Sequence, residues 1–450
     1  MESMSNRRAF LRTLGAAAGL GAAPWITGAL AQNSPNERIN VAVMGIHSRG
    51  SDHIKIFSRI PNVQVTVLCD VDERLFPKAV ADLEKSSGRK PRTETDIRRV
   101  LEDKDVDVIS IAAPNHWHSL ASVWACQAGK DVYVEKPASY NIFEGRKAVE
   151  AARRYNRIVQ TGSQHRSSPL GRSAVDFVHS GKLGRVYMIR GVIYRSRESI
   201  GRGKVVPVPE GVHFDTWLGP APQRPFYDNR FHYTWHWFWD TGNGETGNNG
   251  PHFTDLARWF LQKKELPRTI QSMGGFYVYD SDQETPNTQI SCMEYPDGAL
   301  FQLEIRGLYT NFDDTVREGM LLYGSEGWMK FDLAGGNWAV YHGREKEPAV
   351  TMNRAEAAEK FPPAGTQRAD VDPHFINFIE CVRSRKRESL ASDILDGHLA
   401  AAMCHQCNIA YRTGRTLIFD PIKEQFIGDA EANDLVSRNY RKPFVVPEKV

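Results

Sequence analysis

The sequence predicts an α/β protein: a doubly wound parallel sheet over residues 36–164, then an α+β domain with a largely antiparallel, open sheet over residues 165–418. Three observations predict it. From Ile39 to Gly162, short apolar runs alternate with helical segments, and a glycine-punctuated turn, Gly45–Gly50, follows the first run. Beyond residue 165 the apolar runs alternate with polar residues, as strands with one wetter face do.

Ahead of the first run, Ser5-Asn6-Arg7-Arg8-Ala9-Phe10-Leu11-Arg12 precedes a Gly/Ala/Leu stretch from Leu14 to Ala23 and then Ala29-Leu30-Ala31. This pattern predicts a twin-arginine export signal over residues 1–31 and a periplasmic or secreted protein. The apolar stretch is closed by Pro24 and falls short of the roughly twenty residues a spanning helix needs, so no membrane anchor is expected after cleavage. The 450-residue chain carries a formal charge of +3, and cleavage after Ala31 removes one acid and three arginines, leaving the remainder near neutral. Nothing in that charge calls for nucleic acid or an anionic membrane. The length suffices for two or three domains with a sizeable core. Six scattered cysteines imply no disulfide framework. Cys404-His405-Gln406-Cys407 has the spacing of a metal or redox half-site, but it lies in a helical stretch with no second ligand pair in reach, and no metal is expected.

The first-domain strands are read as Ile39–Met44, Val63–Cys69, Val106–Ala112, Asp131–Val134 and Ile158–Thr161. Right-handed crossovers set their carboxyl ends along one edge, where ligands bind in such folds. Gly45, Ile46, His47, Ser48, Arg49 and Gly50 supply a tight turn and a helix amino terminus suited to a pyrophosphate, with His47 standing where a second glycine is usual. Asp70 ends the second strand, where a carboxylate accepts hydrogen bonds from both ribose hydroxyls and repels a 2′-phosphate. It favours NAD over NADP; its bland alternative is a helix cap.

After the next core strand, Pro114 breaks the chain ahead of Asn115-His116-Trp117-His118, where capping alone would explain Asn115. Lys136 follows the next strand, between Glu135 and Pro137. At the ligand edge it is placed as a proton relay or electrostatic clamp, the alternative being an ordinary surface lysine.

These residues carry a resemblance. Gly45–Gly50, Pro114-Asn115-His116-Trp117-His118, Glu135-Lys136-Pro137, Gly162-Ser163-Gln164-His165-Arg166, and Gly250-Pro251-His252 with Asp255 resemble the motifs of the glucose–fructose oxidoreductase, inositol dehydrogenase and rhizopine-catabolism (Gfo/Idh/MocA) superfamily, from about Ile39 to Gly414. The resemblance implies a Rossmann-type domain and an open-sheet second domain, with Lys136 and His252 flanking the reacting carbinol. It also brings Gln164 and Glu135 to the cofactor. Many such dehydrogenases carry an aspartate four residues before the histidine; this chain has Asn248, which can orient a hydroxyl but holds no charge.

In the second domain, strands are expected at Val186–Tyr194, Thr269–Val278, Thr288–Glu294, Leu300–Leu308 and Met320–Tyr323, with a long helix over Asp393–Tyr411. Residues 419–450 read as an extended arm of few apolar clusters. An open sheet face would expose apolar surface unless another subunit covered it, so a homodimer or homotetramer is expected. The aromatic segment Phe231–Asp240 alternates if extended, with Tyr233, Trp235, Trp237 and Trp239 on one side and His232, His236 and Phe238 on the other. Flat aromatic faces suit sugar C–H faces, while core packing or a subunit interface is the bland reading. Arg166, Tyr194, His232, Trp235, Trp237, Asn248 and His252 form the candidate substrate set. The expected function is oxidoreduction of a carbohydrate or cyclitol on a tightly held NAD. Glycoside cleavage through transient oxidation, or sugar binding without catalysis, stand as the alternatives.

Overall fold

The computed structural model describes residues 38–308, 316–362 and 371–450. The twin-arginine expectation, over residues 1–31, lies outside the described residues. Six strands form the first sheet: β1 (Ile39–Met44), β2 (Val63–Cys69), β3 (Arg92–Glu94), β4 (Val108–Ile111), β5 (Asp131–Val134) and β6 (Val159–Thr161). All are parallel, in the order β3-β2-β1-β4-β5-β6. The central runs of β1, β4 and β5 are apolar because helices cover both faces, and Val41, Val43, Val108, Ile109, Val132 and Val134 have no exposed surface. β3 escapes sequence reading because it is three polar residues at the sheet edge, without the apolar signal of a covered strand.

The order reverses between β1 and β4. This switch point opens a crevice at the carboxyl ends of the strands, where the Gly45–Gly50 turn, Pro114 and Glu135 all emerge.

The second sheet has ten strands. They are β7 (Val186–Tyr194), β8 (Thr269–Gly275), β9 (Thr288–Glu294), β10 (Leu300–Arg306), β11 (Glu318–Gly324), β12 (Trp328–Asp332), β13 (Asn337–Tyr341), β14 (Val350–Asn353), β15 (Leu417–Asp420) and β16 (Gln425–Phe426). Their order is β14-β13-β12-β11-β7-β10-β9-β8-β15-β16, antiparallel except for the β7–β10 pair. One face buries Phe301, Leu303, Met293 and Met320 against the helices Gly250–Phe260 and Ile394–Thr413. On the other face Met273 pairs with Ile290 in register, and both are exposed, as is Leu300.

The long helix Ile394–Thr413 is buried on nearly every side, because it packs on the second sheet, on Gly250–Phe260 and on the first-domain helix Ile142–Arg154. Buried polar side chains along it are held by distant parts of the chain: His398 by Glu424, His405 by the Ser139 carbonyl of the first domain, and Asn408 by the Asn243 carbonyl. Cys404 and Cys407 are buried there as free thiols. Among the described residues, no helix is long and apolar enough to cross a membrane.

Residues 419–450 do not run as a bare arm. Phe419 and Phe426 join the second-domain core, while Phe444, Val446 and Val450 enter the first-domain core beside Trp117. These apolar residues fall in short groups far apart in the chain, Leu417–Phe419 and Phe444–Val446 among them, so their entry into two different cores is visible only in three dimensions.

Candidate active site

The phosphate turn follows from steric limits. Gly45 sits at φ 80°, and a Cβ there would lie 2.7 Å from the Ala112 carbonyl oxygen, so only glycine lets β1 turn this close to β4. A Cβ on Gly50 would overlap the Gly45 carbonyl, and this glycine supports the turn from behind rather than lining the cavity. No side chain caps the helix Arg49–Phe57, which leaves its amino terminus facing the crevice for an anion. The cavity holds about 580 Å³ and is lined at this end by Gly45, His47, Ser48, Arg49 and Asp70.

Asp70 accepts N–H bonds from Ile46 at 2.8 Å and Asp72 at 3.0 Å, which fixes the carboxylate at the end of β2. Burial pushes its pKa up to about 6 despite those two bonds. The sign is definite: because the folded value lies above that of a free aspartate, the stability cost of its charge is absent below ~pH 4 and complete above about pH 6. A protonated Asp70 also loses an acceptor for ribose hydroxyls. NAD affinity is therefore expected to weaken as pH falls through about 6, and Asp70→Asn should flatten that dependence in a calorimetric pH series.

At the other end, Glu135 is buried and anchors three side chains. Arg49 Nε donates to it at 2.9 Å, His53 Nε2 lies at 3.0 Å, and Gln164 Nε2 donates at 3.1 Å. Burial pushes the Glu135 carboxyl up, but the His53 bond and the Arg49 charge outweigh it and hold the group well below the usual range. His53 itself is held neutral by burial. Lys136 extends from this anchored residue. Its Nζ donates to the Asn248 carbonyl at 2.8 Å and to Asn248 Oδ1 at 3.2 Å. Burial lowers the Lys136 pKa, opposed by the charges of Glu135 and Glu245.

His252 lines the same cavity, its ring edge-to-face with His165 at 5.0 Å, and its buried Nδ1 has no hydrogen-bond partner among the described residues. Burial, then the neighbouring His165 and Lys136, holds it neutral, well below the usual histidine range. A neutral imidazole with an unpaired nitrogen beside a lysine is equipped to bind a hydroxyl and exchange its proton.

His118 lines the cavity, yet its two nitrogens contact the Pro137 and Ala113 carbonyls at 2.6 and 2.7 Å. It latches the loop after β4 to the loop carrying Lys136. Asn115 also lines the cavity and donates to Asn243 Oδ1 at 3.0 Å, tying the Pro114 loop to the second domain.

The aromatic segment forms the roof, but not as an extended strand. His232–Trp237 is a 3₁₀ helix, in which residues three apart share a face. Phe231, His232, Tyr233, Trp235 and His236 therefore reach the cavity, while Trp237 is buried beneath the Arg197 guanidinium. The expected alternation fails because tight turns, not strand pairing, satisfy this backbone. A strap from the second domain crosses the end of β2: Glu73 N–H donates to the Gly211 carbonyl at 2.8 Å and His213 N–H to the Val71 carbonyl at 2.8 Å. His232 Nε2 reaches Asp72 at 3.1 Å, and its ring lies 4.9 Å from that of His47.

Two candidate substrate ligands lie elsewhere. Arg166 is bound bidentately to Asp255 and also reaches Asp396, because it fills the junction between the Gly250–Phe260 and Ile394–Thr413 helices. Tyr194 is buried in β7 under the Arg306 guanidinium. Sequence reading also missed His53 and Glu245, which claims Arg197, a cation that could otherwise meet an acidic sugar. The only available signal for His53 was its spacing, one helical turn after Arg49 on the same face.

Fold and site together define a two-domain, dinucleotide-dependent oxidoreductase: a glycine-turn crevice, Asp70 and Lys136 on one domain share a cavity with Asn248 and His252 of the other. The chain belongs to the Gfo/Idh/MocA oxidoreductase family: residues 39–163 match its NAD-binding Rossmann-fold domain and residues 197–307 and 360–446 its C-terminal alpha/beta domain. A glycosyl hydrolase family 109 protein of Shewanella pealeana is 26% identical over 173 residues, covering 33% of this chain and 37% of that protein. The chain thus spans well under half of that relative's length. Levoglucosan dehydrogenase, solved with NADH and levoglucosan, superposes with a TM-score of 0.63 at 16% identity, covering 85% of this chain and 99% of that one. Aldose–aldose oxidoreductase from Caulobacter crescentus, solved with glycerol, does so with a TM-score of 0.60 at 17% identity, covering 85% and 100%. At these identities the likeness speaks for the fold.

Proposed function

We propose that this protein oxidises a secondary alcohol of a carbohydrate or cyclitol on a tightly held NAD. The observation that carries the reading is the double clamp of Lys136 Nζ by Asn248, in the same cavity as the unpaired His252 nitrogen. With two N–H groups spent on Asn248, a neutral Lys136 amine keeps its lone pair for the substrate hydroxyl proton. His252 orients that hydroxyl. Asp70, the Gly45 turn and the uncapped helix would hold the ribose and diphosphate of NAD, whose nicotinamide supplies hydride acceptance and return. Trp235 and Phe231 offer flat faces to a sugar ring. The related levoglucosan dehydrogenase structure, with its sugar ligand, supports this substrate class.

The strap over β2 and the His232 roof favour retention of the cofactor. Retention suits the twin-arginine export we also infer, since free dinucleotide is scarce outside the cytosol. We further infer that a second copy covers the exposed Met273, Ile290 and Leu300 face; light scattering should return a dimer or tetramer mass, and Ile290→Lys should lower it.

A second reading, glycoside cleavage, is favoured by one contact. Transient oxidation acidifies the adjacent C–H, whose proton needs a base before the aglycone leaves, water adds and hydride returns. Tyr233 lines the cavity and its hydroxyl accepts a hydrogen bond from Arg197 Nη1 at 2.8 Å, which fixes the phenol oxygen where it can take that part. The family 109 relative is consistent with this route.

The test is to denature the purified protein and identify what it releases. Near-stoichiometric NAD or NADH supports the proposal and directs assays to paired sugars and aryl glycosides. A protein that is empty and fails to bind added NAD overturns it.

A further inference from the structure

Resting on the reading of Lys136 as the proton-transferring group, we propose that Glu245 is a positioning residue that supplies, through Asn248, a second negative charge to the lysine site beside that of Glu135. The side chain in contact with Lys136 Nζ is the neutral amide of Asn248, so the charge that steadies the ammonium form has to come from behind it as well as from Glu135. The structure offers one carboxylate behind that amide. Glu245 is 3% exposed and lies on the short helix Gly244–Asn248, three residues before Asn248 and hence on the same face. The Asn248 side chain bridges them, its oxygen accepting from Lys136 Nζ at 3.2 Å and its nitrogen donating to Glu245 Oε2 at 3.4 Å.

Glu245 is held rigidly. Arg197 donates to it from Nε and Nη2, both at 3.0 Å, and Asn249 Nδ2 donates to its other side. Arg197 in turn packs over the Tyr233 and Trp237 rings, which ties the carboxylate to the cavity roof. The charged and titratable groups that act on Lys136 from the surrounding elements are Glu135, Glu245, Arg49, Arg197, His118, His236, His252 and Cys404. Glu135 is paired with Arg49 and Glu245 with Arg197, and of the two it is Glu245 that connects to Lys136 Nζ through a single bridging side chain, that of Asn248. A charge set behind a neutral amide attracts the ammonium less than one in contact would, because Coulomb energy falls with distance. That suits a lysine that must release its proton as readily as it accepts it.

The test reads Lys136 directly in the NAD-bound protein, by a carbon-13 NMR titration of methylated lysines, with the Lys136 signal assigned by its loss in Lys136→Arg. Glu245→Gln is expected to lower the Lys136 pKa by about one unit, and adding Asn248→Asp to that variant should restore or exceed the original value. A merely structural role would reduce stability without moving the Lys136 titration. Glu245→Asp, whose shorter side chain withdraws the carboxylate from Asn248, must lower the Lys136 value in the same direction, and it serves where Glu245→Gln does not fold. A Lys136 signal unmoved in Glu245→Gln, or in Glu245→Asp where that variant stands in, overturns the inference. Neither readout needs a substrate, so a protein that turns over no sugar yet shows the coupling loses only the proposed function.

Discussion

Lys136→Ala is expected to reduce turnover by about 10²–10⁴-fold while leaving NAD bound, because general acid–base assistance is worth that much and neither the Gly45 turn nor Asp70 is held by the lysine side chain. The physical basis is the local geometry. Lys136 Nζ is aimed by Asn248 through two hydrogen bonds, and its backbone is anchored through buried Glu135. Alanine removes the proton carrier but leaves Asp70, Gly45 and the uncapped helix untouched. Steady-state kinetics beside a cofactor titration would separate the two effects. Unchanged turnover would remove Lys136 from the mechanism. Loss of bound NAD together with turnover would instead make it a cofactor ligand.

Asp255→Ala is expected to destabilise the fold by about 3–5 kcal/mol, read as a lower denaturant midpoint, while the folded fraction still binds NAD. Asp255 is 1% exposed and receives Arg166 Nε at 2.8 Å and Nη2 at 2.8 Å. Removing it strands the guanidinium between two helices, with only Asp396 at 3.3 Å in partial compensation. This prediction also separates two roles for Arg166. Were Arg166 a substrate ligand, its alanine variant would stay stable and raise KM; as the partner of Asp255 it should lose stability first.

Much of the nucleotide end was legible in the sequence because its residues follow strands directly. Gly45, His47, Ser48, Arg49, Asp70, Pro114, Asn115, Glu135 and Lys136 each lie within a few residues of a buried apolar run, and a parallel sheet brings such positions to one edge. Asn248 and His252 entered only through the resemblance to the Gfo/Idh/MocA superfamily. The substrate side was harder. Trp237 and Trp235 look equivalent on paper, yet a 3₁₀ turn sends one into the core and the other to the cavity. Arg166 and Tyr194 carry chemistry suited to a sugar, but side-chain partners far away in the chain, Asp255 and Arg306, claim them.

The sequence by itself determined the two-domain architecture and the strand-end placement of Gly45, Asp70 and Lys136, because hydrophobic period and glycine geometry are local properties; the association of Lys136 with His252 came from the family resemblance. Only the tertiary structure decided which aromatic residues form the roof, which arginines are spent on ion pairs, and that Glu245 stands behind Asn248. Those outcomes depend on competition among partners distant in the chain, where burial makes each unsatisfied polar group costly and so assigns every buried charge to whichever partner packing brings within reach.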